Sequence, residues 1–247
     1  MKVAAYQAPL LPSGSLEVID LIRTRVAWCE TEDVAILCCP EAILGGLADD
    51  ARDPAAFAID ARGDQLTATL APLASDTVTT IVGFTEIAED GRLYNTAAVF
   101  HKGSVMGLYR KLHPAINRSV YDAGDEIPVF QVDGLTFGIV ICNDSNYPEP
   151  ARIMAARGAT ALFVPTNNGL PPEKTYAGLV TDARHRDIAR ATENNMWVIR
   201  ADVAGQASGL TSDGSSGIVD RDGIVRMSAE RSVEDLLMAD IETSKSS

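Results

Sequence analysis

Short apolar runs alternate along this chain with longer stretches whose apolar residues recur at helical spacing. Residues 2–8 and 34–39 are compact, mostly apolar runs, which predicts two strands. The segment between them predicts an amphipathic helix that is capped by Ser15 and runs to about residue 32. Its buried stripe is formed by Leu16, Ile19, Ile22, Val26 and Cys29. Strand, helix and strand in succession indicate an α/β fold.

The same alternation continues to the end of the chain. The pattern predicts further strands at residues 79–86, 95–101, 105–111, 129–132, 135–142, 160–165, 196–201 and 236–241. It predicts helices at 64–74, from about 148 to 157, and at 181–195, with a glycine-rich hairpin region at 205–222. Because no linker, low-complexity tract or long repeat interrupts the pattern, we expect residues 1–247 to form a single domain.

The charge of the chain narrows the range of partners. The 21 Lys and Arg residues are outnumbered by 34 Asp and Glu residues, for a formal charge of −13. This sign disfavours binding to nucleic acid or to anionic lipid. The N-terminal residues are too polar for a signal peptide, and no apolar run approaches the roughly 18 residues of a membrane span. We therefore expect a cytoplasmic protein whose four cysteines are free thiols.

Three reactive side chains follow predicted strands, where ligands bind in open α/β sheets. They are Glu41, Lys111 and Cys142. A helix beginning just after Cys142 would favour its thiolate form, and a lysine would stabilise both that thiolate and the oxyanion formed when it attacks a planar carbon. A buried glutamate could take the thiol proton and later activate water. The site needs no metal.

Each residue alone has an ordinary structural explanation. A cysteine at a strand end is more often a small buried hydrophobe than a nucleophile, and Cys29, Cys38 and Cys39 are interpreted in that way. A cysteine-histidine hydrolase using His113 or His185 is an alternative, although neither histidine lies in a catalytic signature. The spacing of the three candidates is set by no helix or strand periodicity, so residue patterns alone do not establish a triad.

The segments around the three candidates, in this order, resemble the nitrilase (carbon-nitrogen hydrolase) superfamily. The resemblance rests on Cys39-Pro40-Glu41, on Tyr109-Arg110-Lys111-Leu112-His113 and on Gly138-Ile139-Val140-Ile141-Cys142-Asn143-Asp144, with five weaker matches elsewhere. It implies a four-layer-forming α-β-β-α sandwich, a homo-oligomer, and no cofactor. It also implies that Cys142 is the nucleophile, Glu41 the general base and Lys111 the stabilising cation, acting on a small-molecule amide, an N-carbamoyl compound or a nitrile.

The resemblance also implies substrate-binding residues and shows departures from the family. Asn117 stands where many members carry a second glutamate, and the backbone of Asn143 is expected to assist the oxyanion. Two further candidates for contact with substrate do not depend on the resemblance: Asn167, which follows the strand predicted at residues 160–165 and would face the same pocket, and Tyr147, which could equally belong to the core. The Cys-Asn-Asp segment is most similar to N-carbamoyl-D-amino acid amidohydrolases, but the arginines that hold the substrate carboxylate there are missing. The sequence therefore favours a neutral or cationic amide, unless Arg118 or Arg184 replaces those arginines.

Two other functions remain open from the sequence. A binding protein on the same fold, catalytically weak or inactive, is one of them, and the asparagine at position 117 mildly favours it. An acyltransferase that passes the acyl group to an amine rather than to water is the other, because the same three residues could perform that reaction.

Overall fold

The fold is an α-β-β-α sandwich. The computed structural model describes residues 1–15, 17–175 and 178–244. Its elements follow in chain order: β1 (Lys2–Pro9), α1 (Val18–Thr31), β2 (Val34–Cys38), α2 (Asp64–Leu70), β3 (Thr79–Ile87), β4 (Leu93–His101), β5 (Ser104–Arg110), β6 (Phe130–Val132), β7 (Leu135–Ile139), α3 (Pro148–Ala156), β8 (Ala161–Pro165), α4 (Leu179–Asn194), β9 (Trp197–Ala201), β10 (Val203–Ala207), β11 (Leu210–Ser212), β12 (Gly217–Val219), β13 (Val225–Ser228) and β14 (Asp235–Asp240).

The strands form two sheets. One has the order β11-β10-β1-β2-β3-β4-β5, with β14 antiparallel to β1, and the other has the order β13-β12-β9-β8-β7-β6. Neighbouring side chains of a strand point to opposite faces, so Val3 and Ala5 enter the core between the sheets whereas Ala4 and Tyr6 pack toward α1 and α2. Helices α3 and α4 pack on the outer face of the second sheet. The alternation of elements in the sequence is thereby confirmed.

Most predicted elements lie within two residues of the observed ones, and the exceptions have local causes. Ser15 does not cap α1. Its N–H donates to the carbonyl of Pro12 in a turn, and the helix begins three residues later, with Glu17 in the N-cap position. Leu16 lies outside the described residues. Strand β7 ends at Ile139, three residues earlier than predicted, because the backbone turns before Cys142. Strand β13 was not predicted, and its four residues are all exposed.

The cysteines and helices also agree with the sequence. The four cysteines are free thiols, and Cys29, Cys38 and Cys39 are buried as predicted. Pro148 is the first residue of α3, where the backbone N–H has no partner within the helix and its absence costs no hydrogen bond. Asn195 ends α4 in the left-handed conformation, which asparagine tolerates. None of the helices in the described part of the chain is long and apolar enough to cross a membrane.

Candidate active site

Glu41, Lys111 and Cys142 line one cavity of about 200 Å³ at the strand ends between the two sheets. Glu41 follows β2 and Lys111 follows β5 in the first sheet, whereas Cys142 follows β7 in the second. The remaining described residues of its wall are Leu47, Asp49, Asn95, Pro114, Ala115, Ile116, Tyr121, Asn167, Asn168, Gly169, Leu170, Pro171 and Lys174. The structure therefore brings together three residues that are separated by 70 and 31 positions in the sequence.

Glu41 and Lys111 form a buried ion pair. The distance between Lys111 Nζ and Glu41 Oε1 is 2.5 Å, and the two side chains are only 4% and 1% exposed. Burial by itself lowers the pKa of Lys111, but the negative charge of Glu41 and its hydrogen bond to the ammonium outweigh burial and hold that pKa above its usual value. Lys111 is thus a fixed cation beside the sulfur.

Two asparagines hold the Glu41 carboxylate in place. The Nδ2 of Asn95 donates to Oε1 at 2.8 Å, and the backbone N–H of Asn167 donates to Oε2 at 2.9 Å. With Lys111, these donors engage both carboxylate oxygens, so the carboxylate is held in one orientation. Asn95 was not predicted as a site residue. It lies in β4, where its carbonyl accepts the backbone N–H of Lys111 at 2.8 Å.

The loop that carries Glu41 packs directly on a glycine of β3. A Cβ atom at Gly83 would collide with the backbone nitrogen of Ala42 and would lie 2.6 Å from the carbonyl oxygen of Pro40. Ala42 itself has φ 46°, in the left-handed region that non-glycine residues rarely occupy. The position of the carboxylate is therefore fixed by close backbone packing as well as by hydrogen bonds.

Cys142 lies at a sharp turn between β7 and a short 3-10 helix, Cys142–Asn146. Its φ is 46°, a strained value of the kind that concentrates at functional sites. The hydroxyl of Ser145 donates to the carbonyl of Cys142 at 2.7 Å and closes the turn. The strained residue carries the sulfur, and Cys142 lines the cavity while it also packs against the edge of the core between the sheets.

The thiol of Cys142 is not easily ionised in the unliganded site. Burial and then the Glu41 carboxylate raise its pKa to about 12, although Lys111 and Arg200 act in the opposite direction. The direction of this shift is opposite to the one that the residues around Cys142 favour in the sequence. A thiol of this kind gives up its proton only when a base receives it, and Glu41 lines the same cavity.

A second buried carboxylate holds the turn at Cys142 through hydrogen bonds. Asp144 is fully buried and accepts hydrogen bonds from the hydroxyl of Tyr109 at 2.8 Å, from the N–H of Ile141 at 3.1 Å and from the N–H of His113 at 2.8 Å. It caps the turn, and it also ties the Lys111 segment to the Cys142 segment. Its position two residues after the cysteine was the only sequence signal for this role.

Arg200 lies behind Cys142 in a network that the sequence did not reveal. Its guanidinium is buried, forms an ion pair with Asp187 at 2.6 Å, and donates to the hydroxyls of Ser145 at 3.1 Å and Thr166 at 2.7 Å. Through Ser145 the network reaches the carbonyl of Cys142. An arginine inside a strand gives no local signal of such a role, because its partners come from distant segments.

The predicted substrate-binding residues occupy different places. Asn167 lines the cavity and binds Glu41, and Asn143 lines an adjoining cavity beside Cys142. Tyr147 is 43% exposed and stacks on the ring of His113 with the ring centroids 3.7 Å apart, and it is not among the described lining residues of either cavity. Asn117 is exposed on the loop after Lys111, and it is not among the described lining residues. The structure therefore does not bring Asn117 or Tyr147 to the cavity.

Removal of Lys111 is expected to destabilise the protein strongly. The variant Lys111→Met leaves the Glu41 carboxylate buried without its cation, and we expect the free energy of unfolding in urea to fall by about 3–5 kcal/mol. The double variant Glu41→Gln/Lys111→Met removes both charges and should recover most of that loss. Equal losses in the double variant and in the sum of the two single variants would show that the two charges are not coupled.

Comparison with known proteins gives a consistent result. The family model described as carbon-nitrogen hydrolase matches residues 2–246. The chain is 33% identical over 232 residues to a "Hydrolase in pqqF 5'region" of Pseudomonas protegens, covering 90% of this chain and 76% of that protein. It is 31% identical over 219 residues to an (R)-stereoselective amidase of Pseudomonas sp, covering 86% and 75%.

Solved structures match over the whole fold. An amidase from Nesterenkonia sp. superposes with a TM-score of 0.83 at 23% identity, covering 99% of this chain and 91% of that one. A glutamate-to-glutamine mutant of the amidase from Nesterenkonia sp. AN1 shows covalent addition of the acetamide moiety of fluoroacetamide at its active-site cysteine. At this level of identity the likeness establishes the fold.

Proposed function

Because the chain belongs to the carbon-nitrogen hydrolase family, we propose that it hydrolyses a non-peptide C–N bond of a small amide or N-carbamoyl compound, with Cys142 as nucleophile. The observation that carries the proposal is the shared cavity, in which the Glu41–Lys111 ion pair of 2.5 Å lies beside Cys142. The active-site cysteine of the Nesterenkonia amidase, which is modified by the acetamide moiety, supports the same role here.

In the first half-reaction the thiol becomes a thioester. The proton of Cys142 passes to the Glu41 carboxylate while the sulfur attacks the carbonyl carbon, and the carbonyl π electrons move to oxygen. The ammonium of Lys111 and the backbone N–H of Asn143 stabilise that oxyanion. When the tetrahedral intermediate collapses, the C–N bond breaks and the proton held by Glu41 passes to the leaving nitrogen, which departs as ammonia or an amine.

In the second half-reaction water replaces the amine. Glu41, again ionised, removes a proton from a water molecule whose oxygen attacks the thioester carbon. Collapse of this second intermediate breaks the C–S bond and returns the proton to the sulfur. An acyl thioester releases a carboxylic acid, and a carbamoyl thioester releases carbamic acid, which breaks down to CO2 and ammonia. A fixed base suits both steps, because Asn95 and the Asn167 N–H hold the Glu41 carboxylate in the same orientation throughout.

The size and walls of the cavity restrict the substrate. About 200 Å³ accommodates a small molecule and excludes a folded peptide segment. The wall combines the polar groups around Cys142 with apolar side chains, among them Leu47, Ile116 and Leu170. We therefore propose a short, partly apolar acyl or carbamoyl group as the part of the substrate that occupies this cavity.

Ammonia release tests the proposal directly. The purified protein is incubated with a panel of short aliphatic amides, N-carbamoyl compounds and nitriles, and ammonia and the carboxylic acid are both measured. The proposal predicts one carboxylic acid per ammonia from an amide, and one amine and one CO2 per ammonia from an N-carbamoyl compound. Added amine that intercepts the acyl group and lowers the yield of acid would identify an acyltransferase. No release from any member of the panel would contradict the proposed activity.

A further inference from the structure

A second cavity adjoins the sulfur of Cys142. Its volume is about 180 Å³, and it shares Ala115, Cys142 and Asn168 with the first cavity. The other described residues of its wall are Asn143, Ser145, Asn146, Leu179, Ala183, Arg186 and Arg200. Because Cys142 belongs to both walls, a substrate bound at the sulfur has room on two sides of the reacting carbon.

The two cavities differ in charge. The first contains two carboxylates, Glu41 and Asp49, and two lysines, Lys111 and Lys174. The second contains two arginines, and its described wall residues include no carboxylate. This is a concentration of positive charge in a chain whose formal charge is −13. Such a cavity attracts an anionic group and repels a cationic one.

The charge of Arg200 is neutralised, because its guanidinium forms an ion pair with the buried carboxylate of Asp187. The same holds for Arg184, which the sequence suggested as a carboxylate ligand. Its guanidinium donates to the carbonyl oxygens of Ser215 and Ser216 at 3.3 and 3.0 Å and also contacts Asp187. Arg118, the other arginine suggested by the sequence, is exposed and outside the described walls of both cavities.

Arg186 is different from these arginines. It lies on α4 at helical spacing from Leu179 and Ala183, so all three lie on the helix face that lines the second cavity. Its side chain is half-buried, and it forms no ion pair or side-chain hydrogen bond with any residue that the structure describes. A guanidinium in this setting has its planar set of donors available for a carboxylate.

We propose that Arg186 binds a carboxylate of the substrate in this second cavity, so that the preferred substrates are anionic amides or anionic N-carbamoyl compounds. The inference rests on the proposed function and names the substrate class for the same site. It also replaces the sequence-based preference for a neutral or cationic amide. The amide groups of Asn143, Asn146 and Asn168 line the same cavity and supply further polar contacts.

Two sources of the carboxylate are compatible with this geometry. In half-amides of dicarboxylic acids the carboxylate is on the acyl side of the scissile bond, whereas in N-carbamoyl amino acids it is on the leaving-group side. Matched pairs distinguish these sources: succinamic acid against butyramide, and N-carbamoyl-β-alanine against N-carbamoyl-propylamine. Each pair differs in charge and differs little in length.

The test compares wild-type protein with Arg186→Gln and Arg186→Lys on both pairs. We expect Arg186→Gln to lower kcat/KM for the anionic member of one pair by about 10- to 100-fold, because charge-assisted hydrogen bonds are lost. The neutral member should be unaffected. Arg186→Lys, which keeps the charge without the planar fork, should fall between the two. Added salt should raise KM for the anionic member alone.

The matched control is Arg23→Gln, which removes an exposed arginine of α1 and should leave both pairs unchanged. Equal effects of Arg186→Gln on charged and neutral substrates, or no effect on either, would overturn the assignment of Arg186.

Calorimetry with the Cys142→Ala protein adds a readout without turnover. Weaker binding of the anionic ligand when Arg186→Gln is added to the Cys142→Ala protein supports the inference. Unchanged binding contradicts it. Absence of turnover in every arm is instead a failure of the proposed function.

Discussion

Replacing Cys142 by alanine is expected to lower the rate of ammonia release by roughly 10⁴-fold or more, because no covalent intermediate can form without the sulfur. The loss should appear in kcat, since the cavity keeps its other walls and still binds substrate. The side chain is only partly buried and is small, so the fold should survive the change. The measurement is initial-rate ammonia release on the best substrate of the panel, with circular dichroism to verify the fold.

The control for that result is Cys29→Ala. Cys29 is a buried thiol of α1 in the core between that helix and the first sheet, and it belongs to neither cavity. Its removal should lower stability slightly and leave turnover intact. If Cys142→Ala retained more than a small fraction of wild-type turnover while remaining folded, Cys142 would not be the nucleophile and the proposed mechanism would be wrong.

The sequence predicted the three candidate residues because each follows an apolar run that is easily recognised as a strand. It could not place them beside one another, since their meeting depends on the packing of two sheets rather than on local periodicity. Asn95 illustrates the limit. The pairing of Thr96 with Arg110 sets the register of β4 against β5, and this register brings Asn95 beside Lys111 and thus beside Glu41. No local pattern around Asn95 indicates that role.

The electrostatics of the site were also beyond the sequence. A lysine near a cysteine and a helix that follows the cysteine suggest a lowered thiol pKa. The direction of the pKa shift depends, however, on the balance between burial and the Glu41 carboxylate, which raise it, and Lys111 and Arg200, which lower it. The element that starts at Cys142 is a five-residue 3-10 helix, and α3 begins only at Pro148. Arg186 was likewise hidden, because a charged helix such as α4 does not reveal which arginine faces a cavity and which one binds the backbone.

The variant Glu41→Gln is expected to change turnover and thiol reactivity in opposite directions. Turnover should fall by about 10²- to 10⁴-fold, because the group that we propose as the base for the thiol proton and for water is lost. The pKa of Cys142 should fall at the same time. Burial still raises this pKa, but the charge of Glu41 no longer does so. The ammonium of Lys111 is then free to pair with the thiolate.

The rate of alkylation by iodoacetamide against pH, followed by intact mass, measures that shift. Because the pKa of Cys142 lies at about 12 in the wild type, its alkylation should be slow at pH 7.5 and still rise above pH 9, whereas the Glu41→Gln protein should react faster at pH 7.5. Burial raises the pKa of Cys29 to about 12 and also shields Cys38 and Cys39, so one modification per chain is expected.

A matched control separates the loss of this charge from the loss of any buried carboxylate. Glu86 is 2% exposed, forms an ion pair with Arg110 at 2.5 Å, and lines neither cavity. Glu86→Gln should therefore leave the alkylation profile of Cys142 where it is in the wild type. A Glu41→Gln protein that alkylated more slowly than the wild type at neutral pH would show that Glu41 promotes rather than opposes ionisation of the resting thiol. In that event Glu41 would already hold the proton of Cys142 before substrate binds, and the resting site would contain a Cys142 thiolate beside the Lys111 ammonium.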